Sequence, residues 1–317
     1  MSVPMIKFNN GEVFPSFGLG TWKAKPSEVG QAVKDAIDIG YRLIDTAVVY
    51  NNEKEIGEAI ASKISQGNIQ RENLFITSKL WSTFHRPDLV EPSLKSSLTN
   101  LRLDYIDLYL VHWPFALQED GDLFPLSEDG KFLFSDVDFL DTWKAMEQIY
   151  KKGLAKSIGV SNFNRRQLDR LLKSAKVLPV TNQVECHPYL TQIKMSSFLE
   201  SKGMMLMAYS PLGSADRPWA KPTDRVLLAD SKLKKIADKY EKTPAQIVLR
   251  YQIQRGHIPI PKSINKERLL ENIDIFNFEL KKDEVKTISS LNCNARLCAY
   301  EEAQDHPDYP FTKRDEY

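Results

Sequence analysis

Hydrophobic and polar positions repeat in one order along the chain: a short apolar run, a polar loop, then a segment with apolar residues three and four positions apart. Short apolar runs are typical of buried strands, and spacings of three and four are typical of helices with one buried face. The strand candidates are residues 16–22, 42–47, 74–80, 106–113, 155–162, 180–186, 205–211 and 258–264. The pattern therefore predicts eight strand–helix units.

Helical spacing is clearest in four of the intervening segments. The first, residues 27–40, begins at Ser27, a predicted N-cap, and ends at Gly40, a residue common after the last helical turn. The others are residues 86–103, 139–153 and 165–176. Long segments without this spacing follow the fourth and seventh strands at 114–137 and 213–228, and a tail begins at about 290.

Alternating strands and helices predict a parallel sheet, either closed as a (β/α)₈ barrel of the α/β class or open and doubly wound. An open sheet would normally carry three spaced glycines after its first strand, and Gly18-Leu19-Gly20 lacks the third. We therefore predict one (β/α)₈ TIM barrel domain over residues 1–317. Asn10-Gly11 predicts an N-terminal β-hairpin, which would cover the N-terminal mouth of the barrel.

Composition narrows the class of protein further. The chain has 42% hydrophobic residues, a mean hydropathy of −0.38 and a net charge of +1, which gives no reason to expect nucleic-acid or membrane binding. No signal peptide or membrane-length apolar run is visible, which is typical of a cytoplasmic protein. The three cysteines lack the spacing of a disulfide framework or zinc site, so we expect no metal.

Polar residues stand where the predicted strands end. Because the carboxyl ends of barrel strands meet at one mouth, we expect these side chains to lie close together. They are Asp45, Lys79, His112, Ser161, Asn162, Gln183 and Tyr209. The sequence therefore predicts the functional site at this mouth.

Three of these polar positions, together with Tyr50, suggest chemistry on a carbonyl group. Asp45 and Lys79 would form a buried ion pair, and Tyr50, in the loop after Asp45, would lie beside the ammonium. A nearby cation would lower the pKa of Tyr50 and make it a proton donor, while His112 would hold the same oxygen. Each residue alone has an ordinary alternative: Asp45 as a turn cap, Lys79 reaching solvent, or His112 as a core histidine.

Several motifs resemble the aldo-keto reductase superfamily, in particular its aldose reductase and aldehyde reductase group. The similarity covers nearly the whole chain and includes GYRLIDTAVVYNNEKEIG, LFITSKLW, DLYLVHWP, SIGVSNF, NQVECHPY, AYSPLG and IPKSINKERLLEN. The resemblance implies NADPH-dependent reduction of aldehydes and ketones, with hydride passing from nicotinamide C4 to the carbonyl carbon. It makes Tyr50 the general acid, with Asp45 and Lys79 tuning it and His112 orienting the substrate.

The resemblance also implies the cofactor site, with a carboxamide contact, a stacking tyrosine and a loop over the pyrophosphate. Its residues would be Gly20, Thr21, Trp22, Asp45, Ser161, Asn162, Gln183, Tyr209, Ser210, Pro211, Leu212, Ser214, Asp216, Lys262, Ser263, Ile264, Asn265, Arg268, Glu271 and Asn272. Lys262 and Arg268 suit a 2′-phosphate, which favours NADPH over NADH. Asn265 departs from the threonine that is frequent in the family.

An aromatic substrate pocket is implied at the same mouth. Its residues would be Trp22, Val49, Tyr50, Trp81, His112, Trp113, Phe124, Trp219, Cys298 and Tyr300. Such a pocket favours hydrophobic aldehydes or ketones, including steroid ketones. The sequence of the tail around Tyr300 does not indicate which of these substrates is preferred.

Two other functions fit the same motifs. The enzyme could run in reverse as an NADP-dependent alcohol or hydroxysteroid dehydrogenase, or the chain could be a cofactor-binding protein without catalysis. The intact set of Asp45, Tyr50, Lys79 and His112 favours an enzyme. We further expect a monomer with a small-molecule carbonyl substrate and no obligate protein partner.

Overall fold

A computed structural model of the protein describes residues 3–119, 121–312 and 317. Eight parallel strands form one sheet in which each strand pairs with the next along the chain. They are β3 (Gly18–Gly20), β4 (Leu43–Asp45), β5 (Phe75–Leu80), β6 (Ile106–Val111), β7 (Ala155–Ser161), β8 (Thr181–Glu185), β9 (Met205–Tyr209) and β10 (Ile258–Pro259). All eight predicted strands are confirmed.

The first and last strands meet, which closes the sheet into a barrel. Gly20 forms a parallel bridge with Lys262, and its amide donates to the carbonyl of Pro261 at 3.1 Å. A Cβ atom at Gly20 would lie 2.7 Å from the carbonyl oxygen of Ile260. Glycine is therefore the residue that lets the two strand ends approach this closely.

Helices surround the barrel, in the order expected for a (β/α)₈ fold. They are α1 (Pro26–Ile39), α2 (Glu53–Ser65), α3 (Pro87–Leu101), α4 (Phe139–Lys151), α5 (Arg165–Ser174), α6 (Ile193–Ser201), α7 (Ser231–Tyr240), α8 (Pro244–Gln254), α9 (Lys266–Ile273) and α10 (Lys282–Ser289). The largest hydrophobic cluster fills the space between strands and helices, with Val33, Ile76 and Leu94 among its fully buried members.

For the helix predicted at residues 27–40, the predicted C-terminal end is confirmed and the predicted N-terminal end is wrong. Gly40 follows the helix with a φ of 117°, as predicted for a C-terminal glycine. The predicted cap at Ser27 is wrong, because Lys25 precedes the first turn and Pro26 occupies its first position. Proline starts a helix well because its fixed φ is already helical.

The predicted N-terminal hairpin is also confirmed. Strands β1 (Met5–Lys7) and β2 (Val13–Pro15) pair antiparallel around Gly11, whose φ is 93°. Phe8 and Phe14 pack against residues of the barrel interior such as Leu108 and Met207. The hairpin therefore closes the N-terminal end of the barrel and leaves the opposite mouth for a site.

Within the described residues, no helix is long and apolar enough to cross a membrane. The same part of the chain contains no group of His, Cys, Asp and Glu side chains arranged to hold a metal ion.

Candidate active site

The carboxyl ends of neighbouring strands place three of the predicted residues together. Asp45 is the last residue of β4, Lys79 the next to last of β5, and His112 follows β6 directly. Only 2% of Asp45, none of Lys79 and 8% of His112 is exposed. Buried charged groups require partners, and the partners define the geometry of the site.

Lys79 is the centre of this group. Its Nζ donates to Asp45 Oδ1 at 2.6 Å, to the carbonyl of Thr46 at 2.8 Å and to the Tyr50 hydroxyl oxygen at 3.3 Å. Tyr50 reaches it from a 3₁₀ turn, Val48–Tyr50, just after β4. The predicted contacts of Lys79 with Asp45 and Tyr50 are both present.

His112 lies on the other side of Tyr50. Their ring centroids are 5.8 Å apart and the rings meet edge to face. Burial and the nearby Lys79 cation lower the pKa of His112 well below its usual range, so the imidazole is neutral at pH 7. A neutral imidazole still carries one N–H, which makes it a donor without adding charge to the site.

The predicted pKa of Tyr50 is wrong in direction. Burial raises this pKa well above its usual value, and the negative charge of Asp45 opposes ionisation further. The physical reason is burial, which disfavours the phenolate by more than the neighbouring Lys79 ammonium, itself paired with Asp45, favours it. Tyr50 therefore holds its proton firmly at neutral pH.

The pKa values of Asp45 and Lys79 shift in opposite directions, because burial disfavours the charged form of each group. Burial raises the pKa of the Asp45 carboxyl and lowers that of the Lys79 ammonium, while their mutual attraction opposes both shifts. Gln183, from β8 on the far side of the barrel, donates to the second oxygen, Asp45 Oδ2, at 2.7 Å. Both carboxylate oxygens are therefore paired.

A second polar group lies along the next strands. Asn162, with a φ of 63°, donates to the carbonyl of His112 at 3.0 Å and accepts from the Tyr209 hydroxyl at 2.9 Å. Ser161 donates to the carbonyl of Gln183 at 2.8 Å. The residues expected to hold the nicotinamide carboxamide are thus joined in one network beside Asp45, and they offer amide donors and acceptors.

Lys23 joins the loop after β9 to the loop after β3, and the sequence reasoning missed it. Its Nζ donates to Ser214 Oγ at 3.0 Å and to Asp216 Oδ1 at 2.6 Å, and Lys262 lies 3.6 Å from the same carboxylate. No local motif identifies Lys23, because its partners lie far away in sequence. These contacts hold the loop that was expected to cover the pyrophosphate across the mouth.

The start of α9 carries the basic residues expected at the 2′-phosphate. Asn265 caps the helix by accepting from the amide of Arg268 at 2.8 Å, so its side chain has a structural role. Within the described part of the chain, the exposed guanidinium of Arg268 has no ion-pair partner. Ser263 is buried, whereas Ile264 and Glu271 are exposed. An unpaired cation at a helix start suits an anion.

Most of the remaining residues expected to bind the cofactor lie on loops between the carboxamide residues and the start of α9. Thr21 donates through its amide and hydroxyl to the carbonyl of Asp45, next to the Gly20 bridge. Leu212 is partly buried, and its side chain packs against the hydrophobic clusters behind β9. Pro211 and Asn272 are buried.

Aromatic side chains form one wall of the mouth, as expected. Trp81 packs against His112 and Phe124, with ring centroids 5.3 and 5.4 Å away. Tyr300, from the tail, lies 5.3 Å from Trp113 and 6.1 Å from Trp81. Phe115 and Phe132, which the sequence reasoning did not select, also contact the Tyr300 ring, and Val49 packs with the same cluster.

The opposite wall is more open. Trp219 is 51% exposed and packs against Trp22, with ring centroids 5.9 Å apart. Cys298 is buried, and its Sγ lies 3.9 Å from Ser210 Oγ. Burial raises the pKa of the Cys298 thiol to about 12, so it is protonated and apolar at neutral pH.

Comparisons with known proteins agree with this arrangement. A sequence model of the Aldo/keto reductase family matches residues 16–293. The chain is 50% identical to "Prostaglandin-E(2) 9-reductase" of Oryctolagus cuniculus, over 98% of each chain. It is 48% identical to "Estradiol 17 beta-dehydrogenase 5" of Mus musculus, again over 98% of each. A solved aldose reductase from Schistosoma japonicum is similar with a TM-score of 0.93 and 42% identity, covering 99% of this chain and 100% of that one.

Proposed function

The chain belongs to the aldo/keto reductase family, an oxidoreductase family, and we propose that it reduces aldehydes and ketones to alcohols with NADPH. The observation that carries this proposal is the contact of Tyr50 with Lys79, with neutral His112 beside it. Two neutral donors at one point suit a carbonyl oxygen that gains negative charge as its carbon is reduced. When bound, NADPH supplies the hydride for that reduction.

The residues present fit NADPH along its length. Asn162 and Gln183 offer side-chain amides beside Asp45 for a carboxamide, and Tyr209 offers an aromatic face. Arg268 and Lys262 offer positive charge near the start of α9, where a 2′-phosphate would gain charge-assisted hydrogen bonds. The absence of a carboxylate partner for Arg268 in the described chain favours the phosphate over a free 2′-hydroxyl.

Tyr50 is the proton donor in this proposal. Because Lys79 Nζ donates to its hydroxyl oxygen, the O–H hydrogen of Tyr50 points away from the ammonium and can face a substrate. The proton passes from Tyr50 Oη to the carbonyl oxygen as that oxygen becomes an alkoxide, which is more basic than a phenolate. A tyrosine with a raised pKa is therefore still acidic enough for this step.

Lys79 acts after the proton transfer. After Tyr50 has given up its proton, its phenolate remains 3.3 Å from the ammonium, which stabilises the new charge. Asp45 and Gln183 hold Lys79 in place, and His112 donates its N–H to the substrate oxygen. In the opposite direction the same phenolate would accept the proton of an alcohol.

The wall of Trp81, Trp113 and Tyr300 favours a substrate with a hydrophobic body. The names of two similar proteins refer to large substrates, a prostaglandin and estradiol, and the second name is that of a dehydrogenase. We therefore include steroid and other bulky ketones in the proposed class. Oxidation of the corresponding alcohol is the second candidate direction.

NADPH oxidation at 340 nm tests the proposal, using an aromatic aldehyde, a short aliphatic aldehyde, an aldose and a steroid ketone. Tyr50→Phe should bind NADPH normally, because it loses only a hydroxyl, but turn over about 10²–10⁴-fold more slowly. Tyr251→Phe is the matched control, since its hydroxyl bonds Ser289 in the outer layer. A native protein that binds NADPH but reduces none of the four carbonyls would favour the cofactor-binding alternative.

A further inference from the structure

Glu185 is a fully buried carboxyl group at the end of β8 that the proposed reaction does not use. Glu185 pairs in register with Tyr209 of β9. It lies two residues beyond Gln183, so the side chains of Gln183 and Glu185 are on the same face of β8. Its Oε1 accepts from the amide of Leu297 at 2.8 Å, and its Oε2 from the amide of Cys298 at 2.9 Å. Both amides belong to the tail.

This contact is a two-point anchor for the tail backbone. Two successive N–H groups bind the two oxygens of one carboxylate, which fixes the position and the direction of the bound segment. The imidazole of His187 lies 2.9 Å from Oε1 and is equally buried. If the tail moved away, Glu185 would lose two of its partners while remaining at the barrel wall, which is unfavourable for a buried acid.

The anchor lies where the tail reaches the substrate pocket. Cys298 faces Ser210, and two residues later Tyr300 packs against Trp113. The carbonyl of Leu297 accepts from Trp219 Nε1 at 2.7 Å, so the loop after β9 is attached to the same tail residue. The position of Leu297 and Cys298 therefore sets the distance between the two walls of the pocket, one formed by Tyr300 and Trp113 and the other by Trp219.

We propose that Glu185 is a positioning residue that sets the tail against the pocket and so determines affinity for bulky substrates. The inference rests on the proposed carbonyl reduction and deepens it. A short aldehyde occupies the space between Tyr50 and His112 and does not need the tail. A steroid-sized ketone extends to Tyr300 and Trp219, whose positions depend on the anchor.

Glu185→Gln tests this in the full chain with NADPH bound. Glutamine has nearly the same size, but its NH₂ group cannot accept a hydrogen bond, so one tail amide loses its acceptor. Hydrogen exchange of the amides at 297 and 298 should become about tenfold faster. The KM of a steroid ketone should rise about tenfold, while the KM and kcat of a short aliphatic aldehyde and the Kd of NADPH stay within about twofold.

Glu147→Gln is a matched control. Glu147 is also buried, and its Oε1 accepts from two successive amides, those of Lys176 and Val177, at 2.6 and 2.9 Å. These contacts join α4 to the segment after α5, away from the mouth. Because both amides share one oxygen, which glutamine retains, this variant should change the free energy of unfolding little and leave the ratio of KM values for the two substrates unchanged.

Leu297→Pro removes one of the two anchor hydrogen bonds, that of the 297 amide to Oε1, from the tail side and leaves the barrel wall intact, so it decides the question if Glu185→Gln does not fold. It should reproduce the selective rise in KM. Unchanged hydrogen exchange at 297 and 298 in Glu185→Gln, or at 298 in Leu297→Pro, would overturn the positioning role, as would an equal change in KM for both substrates. If the native protein reduces no carbonyl, the proposed function fails by itself, and hydrogen exchange alone decides whether Glu185 anchors the tail.

Discussion

Replacing Lys79 by methionine separates the structural role of the buried ion pair from its chemical role. Methionine fills the same space but leaves the Asp45 carboxylate buried, with Gln183 as its remaining side-chain partner. Removing one partner of a buried ion pair lowers the free energy of unfolding by about 3–5 kcal/mol, because the other charge stays unpaired. That is a large part of the roughly 5–15 kcal/mol that stabilises most domains.

The double variant Lys79→Met, Asp45→Asn provides the comparison. It removes both charges, so most of the lost stability should return. Turnover should not return, since no cation remains to stabilise the Tyr50 phenolate, and we expect activity about 10²–10⁴-fold below that of the native protein. Urea unfolding at pH 7 followed by tryptophan fluorescence measures stability, and NADPH oxidation measures turnover.

Lys63→Met is the matched control for this experiment. Lys63 pairs with Asp38 at 2.6 Å, but Asp38 is 48% exposed and can be solvated by water after the substitution. The loss of stability should then be below about 1 kcal/mol. The reasoning is refuted if Lys79→Met is as stable as this control, or if the double variant recovers full turnover.

Two further variants test the cofactor end and the acid stability. Arg268→Met should raise the Kd of NADPH about tenfold and leave that of NADH unchanged, as measured by fluorescence titration; equal losses would place the 2′-phosphate elsewhere. Burial lowers the pKa of His85 to about 3, and neither ring nitrogen has a hydrogen-bond partner among the described residues. The unfolded chain binds this proton near pH 6.5, so stability falls as the pH drops below 6.5, by about 2 kcal/mol at pH 5 from His85 alone. His85→Leu should remove that share of the pH dependence in urea unfolding, and an unchanged slope would contradict the assignment.

The sequence predicted the barrel well because its strands are buried on both faces and appear as continuous apolar runs. The polar residues at their carboxyl ends interrupt these runs at one level, and this identifies Asp45, Lys79 and His112 from the sequence alone. Their contacts followed from strand order alone, since β4, β5 and β6 are neighbours.

Features that depend on distant side-chain partners were less predictable. The contact of Lys23 with Asp216 joins two loops that no periodic pattern relates. The direction of the Tyr50 pKa shift depended mainly on how deeply the hydroxyl is buried, which no pattern in the sequence shows. Tyr300 lies in an irregular tail, so its packing against Phe115 and Phe132 had no spacing signal.

The bridge between Gly20 and Lys262 has a consequence for synthesis of the protein on the ribosome. The two residues come from opposite ends of the barrel sequence, so an emerging chain has β3 with a free edge until β10 has left the ribosome. Exposed strand edges can pair with other chains, and the closing contact is among the most distant in the sequence. A chain stopped before residue 258 would therefore present two unpaired edges, those of β3 and β9, and each could pair with a neighbouring chain before the barrel closes.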